Sequence, residues 1–409
     1  MITFDFTDFR LRTLKQDLLH RDFTINTLAL ELEEAVNGQD FKGDLIDLYG
    51  GQEDIGKKII RMTSQRVFDE DPLRILRAFS ISCALGFSIE KKTLGLIKRK
   101  RKSLGKVTGE RVRDELFKIL HSGSAYEFLR ELDRLRILEI VLPGLEGMRA
   151  VKQGAYHHLD VLRHSFETLK QLELLIKDTE KNDDIRNYLA ENISSSRKRF
   201  ALMKLAALLH DIGKPRARRK KAGKLKFYGH ERIGSQITDE IAQRLKLSND
   251  ERDALRKLVF WHLRPGYLGD SPVVSPRAKF RYFRDTGKES VSTLLLSLAD
   301  QRAPRGPLTT QEALKLHEKT GLGLIKEYFR KAKEKKITRL VNGDELMAKF
   351  NLTPSPIIGR ILSELEELQA IGKIKTKKEA LAVAKKLASR PAVQTRGAPR
   401  CTAGLQLHN

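Results

Sequence analysis

The sequence runs to 409 residues, 40% of them hydrophobic, with 78 Lys and Arg against 53 Asp and Glu for a formal charge of +25. Such a chain is globular rather than disordered, with room for roughly two to four domains, and its charge favours a polyanion over a merely basic, soluble role. Cys83 and Cys401 are the only thiols, and no apolar run approaches the roughly 20 residues of a bilayer span, which sets aside disulfide-framework and membrane classes and predicts a reducing, cytoplasmic setting.

In chain order, Ile2, Phe4 and Phe6 alternate with Thr3, Asp5 and Thr7, the period of a half-buried strand over Met1 to Arg10. A helix is predicted from about Thr24 to Glu34. Short strands follow at Asp44 to Tyr49, ending in the Gly50-Gly51 turn, and at Lys58 to Met62. From Asp71 to about His121 the pattern is helical, with breaks at Gly86 and Gly105. The run Lys98-Arg99-Lys100-Arg101-Lys102 suits either a solvated helix face or a phosphate backbone.

A second helical block extends from about Gly154 to Arg305, with a polar excursion at Asp178 to Arg199 and a basic loop at Lys214 to Lys226. The third block covers about Thr309 to Leu387. There Ser355 as N-cap and Pro356 open a helix whose apolar face is Ile358, Ile361, Leu362, Leu365 and Leu368, and Gly372 ends it. Thr376 and Glu379 read as a capping box for the last helix. Beyond Ala388 the periodicity stops, and a disordered tail is expected over 389–409.

Two motifs carry the first candidate chemistry: Arg21-Asp22-Phe23-Thr24-Ile25-Asn26 and Glu70-Asp71-Pro72-Leu73-Arg74-Ile75-Leu76-Arg77. Asp71 before Pro72 has the form of a helix start, so capping is its plain structural reading. Its carboxylate accepts hydrogen bonds where the Arg74 guanidinium donates them, and together they can match the edge of a base. Arg77, one turn deeper, suits a triphosphate.

These motifs resemble those of class II tRNA nucleotidyltransferases, the CCA-adding enzymes and bacterial poly(A) polymerases. The resemblance implies a mostly α chain: a partial palm over 1–62, a nucleotide- and RNA-recognising neck over 63–150, an all-α phosphohydrolase-like domain over 151–308 and a tRNA-binding helical tail over 309–388. Asp71 and Arg74 then select ATP or CTP, Arg77 assists, and Arg21, Asp22 and Asn26 lie near sugar and triphosphate. Ser80 replaces a further family arginine. Asp47-Leu48-Tyr49-Gly50-Gly51 with Asp54 matches a flexible hinge loop, and Glu110-Arg111 matches a neck motif taken as structural and given no chemistry.

Nucleotidyl transfer needs carboxylates at i and i+2 of a strand to hold two Mg2+ ions. The family supplies them from an Asp-x-Asp behind a Gly-Gly-x-x-Arg-Asp turn, and neither motif precedes Arg21. Asp5 and Asp8, three apart, face opposite sides of a strand, and Asp69 and Asp71 belong to the base-reading motif. No residue of this sequence is therefore assigned the catalytic step. The expectation is that the chain does not add nucleotides unaided, through a mis-called start, a truncation or a split enzyme whose N-terminal half is a separate polypeptide.

The second constellation is His164, His210-Asp211, His230, His262 and Asp300, placed on or at the ends of apolar helices. Imidazoles and carboxylates from several helices can gather divalent cations and leave a position for water. The order resembles the HD superfamily of metal-dependent phosphohydrolases. The resemblance makes His164, His210, Asp211 and Asp300 the defining ligands of a divalent transition metal, with His230 and His262 the additional histidines of two-metal members. His157 and His158 are nearby bystanders or substrate contacts, and Lys214 stands where a phosphate could be met. In CCA-adding enzymes such a domain resembles a phosphatase or cyclic phosphodiesterase acting on RNA ends. Asn342-Gly343-Asp344-Glu345-Leu346 through Lys375 resembles the tail that grips the tRNA elbow, with Lys331, Lys333, Lys335, Lys336, Lys373 and Lys375 facing phosphates. The leading expectation is tRNA 3′-end processing with ATP and CTP. The alternatives are a stand-alone RNA-directed HD phosphohydrolase and an RNA-binding remnant.

Overall fold

The computed structural model describes residue 8 and residues 12–31, 45–153, 159–194, 197–221, 224–269, 273–303, 310–334 and 338–389. The chain forms two compact units, one of Met1–Pro272 with Lys288–Lys326, the other of Val273–Gly287 with Glu327–Asn409. The strand expected over Met1 to Arg10 lies, apart from Asp8, outside the described residues. So do His157, His158, Lys335, Lys336 and the tail from 390.

In the first unit the helix expected from Thr24 is replaced, as far as residue 31, by a short 3-10 turn Thr24–Asn26 between isolated antiparallel bridges, Phe23 to Met62 and Ala29 to Ile46. The cause is competition for the backbone. Thr24 N donates to Arg61 O at 3.0 Å and Ala29 N to Ile46 O at 3.1 Å, while the Thr24 hydroxyl donates to buried Asp54 at 2.6 Å. Partners distant in sequence outbid local helical bonds in this β-branched stretch. The expected hinge loop contains a helix. Gly50 takes φ +74°, where a side chain would be strained, and leads into a helix Gly51–Gly56 whose first N–H groups donate to Asp47. Ile59–Ile60 pairs in parallel with Ser88–Ile89.

The neck follows its pattern closely. Helices Arg74–Leu85 and Gly109–His121 pack together, burying Ile75, Leu76 and Phe79 from one and Leu116, Phe117 and Leu120 from the other. Gly86, at φ +69°, closes the first of them. Lys91–Lys100 and a 3-10 stretch Arg101–Lys106 carry the basic run between them.

Next, Arg199–Leu209 lies at the centre of a helical block, with Ala201 through Leu209 all buried; apart from Lys204, which pairs with Glu173 at 2.8 Å, that stretch is apolar and belongs inside. Val161–Asp178, Asn249–Trp261 and Ser290–Arg302 pack against it, and His230–Arg244 packs on Asn249–Trp261. The polar excursion at 178–199 proves to contain a helix Asp183–Ala190 and a hairpin Asn192–Ser194 with Arg197–Lys198. Asn182 caps the helix, and Ile185, Tyr188 and Leu189 give it a buried face. The basic loop is a short helix Lys214–Ala217 followed by an antiparallel hairpin, Arg219–Lys221 with Lys224–Lys226.

The second unit has its own core of Leu346, Ile358, Ile361, Leu365, Ile374, Ala380 and Ala384. Its helices include Pro276–Thr286, Gly343–Phe350, Pro356–Ala370 and Lys377–Ala388. Ser355, Pro356 and the Thr376–Glu379 capping box sit where expected, and Gly372 takes φ +73°. Glu367, buried on Pro356–Ala370, accepts from Arg277 and, at 2.8 Å, from Arg281. Among the described residues no helix is long and apolar enough to cross a membrane.

Candidate nucleotide-reading and metal sites

The two arginine-bearing motifs meet in space. Asp22, buried behind the 3-10 turn, accepts from Asn26 Nδ2 at 2.8 Å and Phe23 N at 2.9 Å. Its second oxygen pairs with Arg77 Nε at 2.8 Å. Arg74 donates to His20 O at 2.6 Å, Val67 O at 3.3 Å and Glu70 at 3.2 Å, and His20 in turn faces Glu70 at 3.2 Å. Arg21, about half exposed, pairs with Asp17 at 3.0 Å.

Asp71 and Arg74 do not pair with one another. Asp71 is extended and closes the short helix Val67–Glu70. Pro72 and Leu73 turn the chain before the next helix begins at Arg74, and the 92%-buried Arg74 points to the His20 and Val67 carbonyls. Asp71 accepts from Leu73 N at 3.1 Å, a turn bond ahead of the helix and not a cap on it, since Leu73 is the N-cap, and pairs with Arg111 at 2.7 Å. Arg111 therefore touches the candidate base-reading carboxylate, a contact that the neck motif did not announce. Burial pushes the Asp71 carboxyl up, but the Arg111 guanidinium and the Leu73 N–H outweigh it and hold it below the usual carboxylate range. Ser80, in place of the family's arginine, donates to buried Glu115, which also takes Lys118 at 2.8 Å.

The histidine–aspartate set converges as a cluster. His210 ends the Arg199–Leu209 helix, His230 begins His230–Arg244, His262 ends Asn249–Trp261, and His164 and Asp300 project from Val161–Asp178 and Ser290–Arg302. Three imidazoles are oriented alike: Nδ1 of His210, His230 and His262 meets the carbonyl of Ala207, Phe227 and Val259 at 2.8, 2.8 and 2.6 Å. Each bond leaves Nε2 turned inward, buried and without a hydrogen-bond partner. Those atoms lie 3.1, 3.3 and 3.7 Å from the Asp211 carboxylate. His164 Nε2 meets Asp300 at 2.7 Å.

Two ligand triplets result, His164 with His210 and Asp211, and Asp211 with His230 and His262. Nitrogen donors with Nδ1 tied to a carbonyl, around a shared carboxylate, fit a divalent metal. The electrostatics agree. Burial opposes charge on Asp211, yet His210 and Lys214 hold it well below the ordinary carboxylate range. Burial disfavours a charged His210 too, but Asp211 and Asp300 raise it. Burial, with His210 and His230 beside it, pushes His262 down to about 3, and burial also lowers His164, so these two rings stay neutral, the form that ligates a metal.

Lys214 Nζ bonds Asp211 Oδ2 at 2.6 Å and Gln153 Oε1 at 2.6 Å. Gln153 carried no sequence signal. Gly213 did, as a loop boundary, but its role is spatial: a Cβ there would stand 2.1 Å from the His230 carbonyl oxygen. Its absence lets the doublet and His230 close on one another.

Family models match four segments in this order. They are the poly A polymerase head domain over 4–61, the "Probable RNA and SrmB- binding site of polymerase A" over 86–148, the HD domain over 161–305, and tRNA nucleotidyltransferase domain 2 over 314–384. The chain is 33% identical to the A-adding tRNA nucleotidyltransferase of Deinococcus radiodurans over 380 residues, 90% of this chain and 78% of that one. It is 28% identical to the CC-adding tRNA nucleotidyltransferase of Thermus thermophilus over 93% of this chain and 79% of that one. Among solved structures, a CCA-adding enzyme with ATP is similar at TM-score 0.56 and 22% identity, over 93% of this chain and 73% of that one. The Thermotoga maritima CCA-adding enzyme complexed with tRNA is similar at TM-score 0.53 and 24% identity, over 92% and 73%. These two share the fold.

Proposed function

The chain belongs to the tRNA nucleotidyltransferase family, and from that premise we propose that it takes part in tRNA 3′-end processing with ATP or CTP as the nucleotide. The observation that carries this reading is the junction of motifs some fifty residues apart, in which Asp22 bonds Asn26 and pairs with Arg77 while Arg74 bonds the chain at His20. Arg21, Asp22, Asn26, Asp71, Arg74 and Arg77 are assigned to the nucleotide, with Arg111 positioning Asp71. Residues 1–62 are read as the palm part, 63–150 as neck, 151–308 as HD domain and 309–388 as tRNA-binding tail. No residue of this sequence is assigned to Mg2+ for the transfer step.

Binding of labelled ATP and CTP to the purified chain tests the assignment. Arg77→Ala should weaken it about tenfold or more, the scale of one lost charge-assisted bond; unchanged affinity would refute the site. Incorporation into tRNA lacking its terminus should need a supplied polypeptide bearing the Asp-x-Asp.

A second activity is favoured by the inward-facing Nε2 atoms of the histidine cluster. We assign His164, His210, Asp211, His230, His262 and Asp300 to divalent transition-metal ions in a phosphoesterase centre. Metal bound there would lower the pKa of water and polarise a phosphoester. The chain's own contribution is to lock three imidazoles through carbonyls, to aim Asp211 by the Lys214–Gln153 bridge, and to bury the donors away from bulk solvent. If His210→Ala leaves metal content and phosphoesterase activity unchanged, the assignment fails.

A further inference from the structure

The segment between Asp211 and Glu231 contains no acidic residue. Its exposed cations are Arg216, Arg218, Arg219, Lys220, Lys221 and Lys226, and among the described residues none of the six forms an ion pair. The hairpin also places like charges across from one another: Arg219 stands in register with Lys226. Like charges directly opposite on paired strands repel. This two-stranded sheet therefore folds against its own electrostatics, and a polyanion laid along it would relieve the repulsion.

Both legs of the hairpin are anchored at the metal cluster. The entering leg leaves Asp211 through Lys214, which bonds that carboxylate. The returning leg passes Phe227, whose carbonyl receives His230 Nδ1 and whose ring lies 5.9 Å from Lys214 Nζ. Tyr228, next in the chain, is 71% exposed, a free aromatic face beside the site. The imidazoles themselves are at least 94% buried, so a strand end reaches them and the flank of a duplex does not.

We propose that this hairpin docks single-stranded RNA and leads its 3′ end to the His–Asp centre. Cations track the phosphates and Tyr228 stacks a base near the end, the usual pairing of forces in single-strand binding. The inference rests on the phosphoesterase reading for its chemistry, but the docking itself does not.

The test uses metal-free full chain and a short oligoribonucleotide carrying a 3′-terminal 4-thiouridine. Irradiation followed by peptide mapping should place the adduct within 227–230. The triple variant Arg219→Glu/Lys220→Glu/Lys221→Glu should lose that adduct. With the neutral variant Arg219→Ala/Lys220→Ala/Lys221→Ala, the log affinity against log salt slope should shrink by about 2, from about 0.7 per phosphate released on single strands. Unchanged circular dichroism keeps either loss from meaning misfolding. An adduct lying only on the 91–106 basic face, or one unaffected by both variants, overturns the proposal. A separate arm measures hydrolysis of bis(p-nitrophenyl) phosphate with Mn2+ or Ni2+ added. Wild type and triple variant should match on this small diester, and a loss in the variant would place the hairpin in the chemistry and overturn the docking role. If neither protein cleaves it, the phosphoesterase reading falls while the cross-link still decides the hairpin.

Discussion

Replacing Gly213 by alanine tests whether the histidines and aspartates form one metal centre. The backbone there has an ordinary φ of −79°, so glycine is required for space and not for conformation. An alanine Cβ would lie 2.1 Å from His230 O and 2.5 Å from Gly234 N, where real Cβ contacts stay above 3.0 Å. The His230 backbone, or the Asp211 backbone, must therefore retreat by about 0.9 Å, whereas metal–ligand distances tolerate only about 0.2 Å. The His230 ligand should be lost, at an overpacking cost of about 1–3 kcal/mol. Metal content after dialysis and thermal unfolding with and without added Mn2+ would report it. The variant should bind one ion fewer than wild type, retaining the His164–His210–Asp211 set, and its metal-dependent rise in Tm should shrink. Wild-type stoichiometry together with a wild-type Tm would refute the convergence on Asp211.

Three further outcomes are expected. Arg111→Ala should return the Asp71 carboxyl toward its ordinary range in a carboxyl NMR titration. Because its folded pKa is depressed, the pair's stabilisation is present above the ordinary range and lost as pH falls through the folded value; the pair is half exposed, so the effect stays within about 1 kcal/mol, and an unmoved titration rejects the contact. Arg199, buried, pairs with Glu289 and Glu191 and lies 4.4 Å over the Tyr188 ring. Arg199→Ala strands Glu289 and should cost about 3–5 kcal/mol in chemical denaturation, with a loss under about 1 kcal/mol contradicting a buried pair. Burial lowers His121, aided by Lys198 and Lys204, and its Nε2 accepts from Lys198 N at 3.2 Å. A folded pKa below 6.5 means that stability declines as pH drops below that value, since the unfolded chain takes the proton first. His121→Gln should make that decline shallower, and identical acid limbs would dismiss the explanation.

What the sequence made legible was periodic or local. The neck helices, the Ser355–Pro356 start, the Gly372 stop and the Thr376 capping box are each decided within about one turn of chain. The His–Asp set was legible as a set because six ligand-type residues lie on or beside apolar helices. Its geometry was not, since the orientation of each ring depends on a carbonyl three residues back and on helices far apart in sequence. Thr24 to Ala29 misled for a similar reason: its backbone partners are at Ile46 and Arg61, outside any local window. Arg111 meets Asp71 across forty residues, and a lone Gln153 carries no pattern by which its bond to Lys214 could be inferred.

The placement of Arg74 changes what nucleotide reading requires of this neck. Its guanidinium already serves two carbonyls and Glu70, and each charge-assisted bond to such a group contributes about 1.5–3 kcal/mol. Turning the whole fork toward a base would forfeit several of these at once, more than one base contact returns. Keeping the fork where it is and using its remaining donors costs far less. Asp71 is the freer partner, since its tie to Arg111 is half exposed and held in water. On the proposed assignment the base edge falls mainly to Asp71, with Arg74 as the fixed reference that joins the first motif to the second. On the same proposal, selectivity between ATP and CTP would depend on where Arg111 and the Leu73 N–H hold one carboxylate.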